Sequence, residues 1–224
     1  MKKDIFAYLF VFVFAFLFFQ PANVQAEKEM MRPLSQTERE GLLSRLKSIQ
    51  AGIKTFEADF IEDRTIKALP SPLTYEGTLY YDRGNLFFMK YVRPVHYILR
   101  VKGTEVIIYV VGSRTADSAD MSGAKGGAGH TDIFNWDPSS FHGQIYSDAD
   151  GFWLKESAQK SGAPKLNILL DKKTLLVKHF SIIGENGDTT KITFSDKKVN
   201  QALPSEVLNY SLPKGTKLNR LSPP

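Results

Sequence analysis

One segment of the chain has the apolar spacing of an amphipathic helix. Its apolar side chains recur at steps of three and four residues, which places them on one helix face: Leu42, Leu43, Leu46, Ile49 and Ile53. Ser35 and Glu38 stand at the capping-box spacing, which satisfies exposed N–H groups at a helix start. We expect Gly52 to end the helix in a left-handed conformation. The pattern therefore predicts one long helix at about 35–51.

Most of the remaining chain alternates between apolar and polar positions, with the two-residue period of β-strands. Turn residues such as Gly84 and Gly103 separate the runs. The predicted strands are 56–61, 73–81, 86–91, 97–101, 105–111, 143–147, 151–157, 165–170, 175–183, 189–195 and 206–212. Ten or eleven short strands with no second long helix predict a mainly β (α+β) fold, in which a meandering antiparallel sheet curls into a barrel or sandwich.

Residues 112–142 interrupt this pattern. The segment is rich in Gly, Ser, Ala and Asp, and near its end lie Ile133, Phe134 and Trp136. Long irregular segments inside a compact domain are commonly either functional or without fixed structure. Two interpretations stay open here: a surface insertion, or a lid whose three large apolar residues dock on an apolar opening.

The N-terminus has the pattern of an export signal. A basic start precedes the apolar run 5–19, which is too short for a spanning helix of roughly 20 residues. Val24 and Ala26 place small residues where a signal peptidase reads them. We therefore expect a signal peptide at residues 1–26, cleavage after Ala26, and one domain over residues 27–224.

Composition excludes several classes of chemistry. The chain has no cysteine, so it can form neither disulfides nor thiolate metal sites. Its net charge is +5, but no cluster of Lys and Arg with interleaved aromatics indicates nucleic-acid binding. The four histidines share no metal-ligand spacing, and no Gly-x-Ser-x-Gly nucleophile motif occurs. We expect no metal, no cofactor and no enzymatic activity.

Several strands are apolar on both faces, which a half-solvated antiparallel sheet does not require. One explanation is an ordinary core on each side of the sheet. The other is an apolar cavity, with tyrosine and methionine adapting its wall to a flexible ligand. The residues predicted to line such a cavity are Phe56, Phe60, Leu79, Tyr81, Phe87, Met89, Tyr97, Leu99 and Val101.

The order of short motifs along the chain resembles the periplasmic outer-membrane lipoprotein carrier family (LolA-like). The resemblance spans about residues 36–216. It rests on Phe56-x-x-x-Phe60, Gly77-x-Leu79-x-x-x-Arg83-x-Asn85-Leu86-Phe87, Pro94 before Ile98-Leu99, Gly103 before Ile107-Ile108-Tyr109, and Leu212-Pro213-x-Gly215. Each motif is degenerate, but their order and spacing together are fairly specific.

This resemblance implies an unclosed barrel of about eleven antiparallel strands, with a helical lid over an apolar cavity. It implies a periplasmic carrier that takes lipoprotein acyl chains from an inner-membrane ABC transporter and passes them to an outer-membrane acceptor. The resemblance also assigns Phe87 to the apolar lining. It gives Arg83 the role of a latch that holds the lid through hydrogen bonds to lid backbone.

Some positions depart from the family pattern. Glu62 stands where the family has the Gln of Phe-x-x-x-Phe-x-Gln, and Gly84 replaces the proline of an Arg-Pro pair. The cargo therefore stays open between general lipoproteins, a dedicated subset and another lipid. The alternative function is a periplasmic sensor or adaptor on the same fold, which would bind a protein segment at the cavity mouth.

Overall fold

The computed structural model describes residues 31–122, 137–156, 165–184 and 186–221. In these ranges, thirteen strands, two α-helices and one 3-10 helix are present. The strands are β1 (Arg32–Pro33), β2 (Thr55–Thr65), β3 (Leu73–Asp82), β4 (Leu86–Arg93), β5 (Tyr97–Lys102), β6 (Glu105–Val110), β7 (Thr115–Asp120), β8 (Gln144–Ser147), β9 (Phe152–Glu156), β10 (Lys165–Leu170), β11 (Val177–Ile183), β12 (Thr189–Val199) and β13 (Lys217–Leu221). The helices are α1 (Gln36–Gly52), α2 (Ser205–Leu208) and the 3-10 helix Pro138–Ser140.

All the strands belong to one unclosed sheet. Its order is β1-β8-β9-β10-β11-β12-β2-β3-β4-β5-β6-β7-β13, so β1 and β13 are its two edges. Neighbouring strands run antiparallel, except that β13 pairs with β7 in parallel. The predicted class, a mainly β fold with an unclosed antiparallel sheet, is confirmed, with thirteen strands instead of about eleven.

Helix α1 begins as the sequence predicts and ends differently. Ser35 and Glu38 form both bonds of the capping box. The left-handed ending expected at Gly52 is wrong, because the helix stops at Ile53 in an ordinary extended conformation (φ −81°, ψ 112°). The carbonyl oxygen of Gly52 instead accepts a hydrogen bond from the side-chain amide of Asn200 at 2.8 Å.

Two stretches of the strand prediction are wrong. The segment 112–142, expected to be irregular, contains β7, which lies between β6 and β13. Its buried side chains are small, so the sequence shows no clear apolar alternation there. The predicted strand 206–212 is instead α2 and the turn after it, because Val207 and Tyr210 are three residues apart and pack together on the sheet. Residues 123–136, with the apolar stretch predicted to dock as a lid, lie outside the described residues.

Apolar side chains form a cluster on each face of the sheet. The inner cluster joins β2, β3 and β4 to β8–β12 and to α1, so these strands curl around a common core. The outer cluster lies on β4–β7 and is covered by Val207, Tyr210 and Leu212 of the α2 segment. An ordinary core therefore explains why the outer-face side chains of these strands are apolar. The inner face remains the candidate for a binding surface.

Candidate functional site

The nine residues predicted to line a cavity share the inner face of four neighbouring strands. Strand register places Phe56 opposite Tyr81, Tyr81 opposite Phe87, and Phe87 opposite Val101. Leu79, Met89 and Leu99 form a parallel row across β3, β4 and β5. The buried members are Phe56, Phe60, Leu79, Tyr81, Phe87 and Met89; the half-buried members packed against them are Tyr97, Leu99 and Val101.

Helix α1 covers part of this face. Leu42 and Leu46 are buried against the sheet. The space left between helix and sheet is a cavity of about 30 Å³, lined by Leu46, Ile49, Gln50, Ile53, Phe56, Tyr81, Arg83, Leu175, Leu176 and Val177. A volume of that size admits one or two water-sized groups. This cavity by itself is too small for an acyl chain.

The inner face continues beyond the helix as an exposed apolar surface. Register places Ile108 of β6 opposite Leu99, and Val110 opposite Tyr97. Ile108 is 43% exposed and Val110 is 48% exposed. Neither residue was predicted from sequence to belong to the site, although the alternation of β6 places both on the same face. An apolar surface joined to a covered core is suited to receive an apolar ligand.

Arg83 binds the C-terminal end of α1. Its guanidinium Nη2 donates to the backbone carbonyl oxygen of Gln50, and its backbone N–H donates to the carbonyl oxygen of Lys54 at 2.9 Å. The last carbonyls of a helix have no partner inside the helix, so an arginine donor satisfies one of them. Burial raises the pKa of the neighbouring Tyr81 phenol, although Arg83 opposes that shift.

Two further side chains, neither of them predicted from sequence, fix α1. The side-chain oxygen of Asn200 accepts a hydrogen bond from the backbone N–H of Lys54 at 2.6 Å, and the amide nitrogen of the same side chain donates to the carbonyl oxygen of Gly52. Near the other end of the helix, Arg39 donates to the carbonyl oxygens of Phe141 and Gly143 and lies 5.4 Å from the centre of the Phe141 ring. These contacts join segments more than a hundred residues apart, which no local pattern reveals.

A polar cluster interrupts the apolar inner face at the far end of β2. Glu62 is fully buried; its Oε1 accepts from Arg64 Nε at 2.7 Å and its Oε2 accepts from the Tyr91 hydroxyl at 2.7 Å. Tyr91 stacks on Tyr97 with ring centres 3.9 Å apart. The guanidinium carbon of Arg64 lies 4.6 Å from the centre of the Tyr75 ring. The alternation of β2 could have placed Glu62 inside, because Phe56, Ala58 and Phe60 precede it at steps of two.

The electrostatics of this cluster shift the pKa values of Tyr91 and Arg64. Burial and the Glu62 carboxylate raise the pKa of Tyr91 far above its usual range, so the phenol remains a donor. Burial opposes the charge on Arg64, but the hydrogen bond and charge of Glu62 outweigh it and raise the pKa of the guanidinium. Through the part of the chain described, no group of His, Asp and Glu side chains is arranged to hold a metal ion.

Comparison with known proteins identifies sequence and fold relatives. The family model "Outer membrane lipoprotein carrier protein LolA" matches residues 51–211. An outer-membrane lipoprotein carrier protein from Cupriavidus pinatubonensis (strain JMP 134 / LMG 1197) is 23% identical over 177 residues, which are 76% of this chain and 83% of that protein.

Two solved structures are similar to the described fold. An uncharacterized conserved protein from Thermus thermophilus aligns with a TM-score of 0.51 and 12% identity, over 83% of this chain and 100% of that one. The LolA superfamily protein NE2245 from Nitrosomonas europaea aligns with a TM-score of 0.40 and 11% identity, over 76% of this chain and 97% of that one.

Proposed function

Because the chain belongs to the outer-membrane lipoprotein carrier (LolA) family, we propose that it is a periplasmic carrier of acyl chains. The single observation that supports this role most is the apolar inner face, which α1 covers on one side and leaves exposed at Ile108 and Val110. The acyl chains of a lipoprotein or of another lipid lie along this face and are delivered toward the outer membrane. Binding and release make and break no covalent bond, which fits a protein that is not an enzyme.

The carrier binds its cargo by opening α1. An acyl chain first contacts the exposed part of the inner face around Ile108 and then extends toward Phe87 as the helix moves away. Each CH₂ group removed from water contributes about 0.8 kcal/mol. A chain of ordinary length therefore gains several kcal/mol, enough to offset a small number of broken helix contacts.

Arg83 is the latch that closes the carrier. It is anchored on the sheet, at the turn between β3 and β4, and its guanidinium holds the Gln50 carbonyl of α1. Loss of this bond on opening makes the open state less stable without cargo, so that the helix closes again once cargo leaves. A closed state that is stable without cargo favours release to an acceptor.

The partners of this cycle are those of the family. An inner-membrane ABC transporter releases the lipoprotein to the carrier, and an outer-membrane acceptor receives it. The carrier works between them in the periplasm after the signal peptide at 1–26 has been removed. Residues 27–224 are the mature domain.

The proposed binding face is tested by one pair of substitutions. Ile108→Glu places a charge on the exposed inner face, whereas Ile61→Glu places the same charge on the outer face of β2 at a residue of similar exposure, 48%. A buried unpaired charge is unfavourable beside an acyl chain. We expect Ile108→Glu to weaken binding of a fluorescent fatty-acid probe at least tenfold and Ile61→Glu to leave it unchanged.

The same titration separates the carrier from an adaptor. If the parent protein binds no acyl probe but forms a tight complex with a protein segment, the acyl-carrier function is wrong and the adaptor function is favoured. Equal probe affinity in both variants would show that acyl chains bind elsewhere on the molecule.

A further inference from the structure

The inner face ends in a charged cluster that binding of an acyl chain alone does not need. Glu62 lies six residues along β2 from Phe56, which is roughly 20 Å at about 3.3 Å per residue. Phe56 pairs with Tyr81, next to the turn that carries Arg83. The Glu62–Arg64 cluster therefore lies at the opposite end of the inner face from the latch.

A structural role alone accounts poorly for this ion pair. Burying charges is costly, and replacing a buried pair with apolar residues is often neutral or stabilising. The neighbouring inner positions Phe56, Ala58 and Phe60 are apolar and packed, so the strand can fill this face without charge.

The geometry leaves one edge of Arg64 available. Glu62 binds the Nε side of the guanidinium, and Tyr97 accepts from Nη2 at 3.3 Å. Across the residues that the structure describes, Nη1 has no hydrogen-bond partner, and the Arg64 side chain is 34% exposed. Glu62 and the Tyr75 ring hold the guanidinium plane in position. An oriented guanidinium with free N–H groups matches the geometry of carboxylate and phosphate oxygens.

We infer that Arg64 binds the anionic head group of the cargo, a carboxylate or a phosphate, while the acyl chain lies along the inner face toward Phe87. Glu62 is a positioning residue in this site, because it contacts Arg64 rather than the ligand. The inference rests on the proposed function and narrows it: the preferred cargo carries an anionic oxygen group next to its acyl chain.

The test compares three ligands that share one chain: oleate, oleyl phosphate and oleyl alcohol, each measured by displacement of a neutral fluorescent acyl probe. The variant is the double substitution Glu62→Gln with Arg64→Gln, which leaves no unpaired buried charge. The matched control is Glu76→Gln with Arg93→Gln, which removes a solvent-exposed ion pair between β3 and β4 with the same change in charge. Circular dichroism and thermal unfolding confirm that each variant is folded.

We expect the parent to bind at least one of the two anions about tenfold or more tightly than the alcohol, as a charge-assisted hydrogen bond predicts. The Glu62/Arg64 variant should lose this preference and keep its affinity for the alcohol, while the Glu76/Arg93 control behaves as the parent. A stronger preference for oleate indicates a fatty-acid head group, and one for oleyl phosphate indicates a phospholipid. Equal affinity of the parent for all three ligands, or an unchanged preference in the double variant, overturns the inference and leaves the carrier function standing. Failure of all three ligands to bind overturns both.

Discussion

At the scale of single residues, two arginines and one asparagine decide where α1 lies. Arg83 and Asn200 hold the carbonyl oxygens of its last turn, and Arg39 ties its N-terminal half to the segment before β8. Each contact joins the helix to a different part of the chain. The position of α1 therefore depends on a few directional hydrogen bonds as well as on the apolar packing of Leu42 and Leu46.

Removing the Arg83 side chain should loosen the C-terminal end of α1. Arg83→Leu loses a charge-assisted hydrogen bond of about 1–2 kcal/mol, which changes an equilibrium roughly 5–30-fold. We expect amide hydrogen exchange in the last two turns of α1 to accelerate by about that factor, acyl probes still to bind, and transfer of cargo to an acceptor to fail. Arg93→Leu is the control, because Arg93 is 72% exposed and binds Glu76, away from the helix. Unchanged helix exchange together with normal transfer would exclude the latch.

Arg39 should act at the other end of the same helix. Arg39→Gln removes a guanidinium that bonds two backbone carbonyls, whereas Arg45→Gln removes the same charge from an exposed helix position. We expect the first substitution to accelerate exchange in the first half of α1 at least fivefold and the second to have no such effect. Unchanged exchange in the first half would show that Arg39 does not hold this end of α1, and equal acceleration along the whole helix would show that its two ends do not open independently.

At the scale of elements, α1 is the part that has to move if the inner face is to accept a chain. The cavity of about 30 Å³ between α1 and the sheet is too small for an acyl ligand. The strands that face α1 across this cavity all belong to one hydrogen-bonded sheet. A sheet resists local opening more than a single packed helix does, because each strand is bonded to its neighbours.

Holding α1 against the sheet should block uptake. Lys47 of α1 donates to the hydroxyl of Ser139 in the 3-10 helix at 3.2 Å. Cysteines introduced by Lys47→Cys and Ser139→Cys are the only thiols in the chain, so a reducible bismaleimide joins them without side products. We expect the linked protein to bind an acyl probe at least tenfold more slowly than the unlinked protein, and reduction of the linker to restore the rate. Equal uptake rates before and after reduction would show that α1 is not the cover that moves.

How far the sequence predicts the elements depends on how local their signals are. The capping box and the apolar period of α1 are local, so the start and type of the helix can be predicted. Strand β7 has no clear apolar alternation in the sequence, because its buried positions are filled by the small side chains of Ala116 and Ser118. The α2 segment is mistaken for a strand because its few apolar residues fit either period.

The site residues also differ in whether the local sequence marks them. The nine inner-face residues are predictable because strand alternation marks all of them. The family motifs add a second signal for five: Phe56, Phe60, Leu79, Phe87 and Leu99. Arg39 and Asn200 act on carbonyls more than a hundred residues away, so only the folded chain shows their role. Glu62 has a local signal, its place in the alternation of β2, but its partners Tyr91 and Arg64 appear only with the strand register.

At the scale of the whole molecule, the proposed carrier is closed when empty. The cycle requires three features: an apolar inner face, an exposed portion of that face at β6, and a cover held by hydrogen bonds. The first stabilises cargo, the second receives it, and the third favours release. The full chain has a net charge of +5, and loss of Lys2, Lys3 and Asp4 with the signal peptide leaves the mature chain mildly basic, which adds a weak general attraction to anionic membrane surfaces.

The central claim is that the inner face holds acyl chains in the cell, and native mass spectrometry of the protein purified from its own periplasm tests it most directly. We expect a fraction of the protein to carry an acyl species at one cargo per chain, and the Ile108→Glu variant to emerge without it while the Ile61→Glu variant retains it. A single mass without any acyl species, accompanied by a stable complex with a protein partner, would contradict the account.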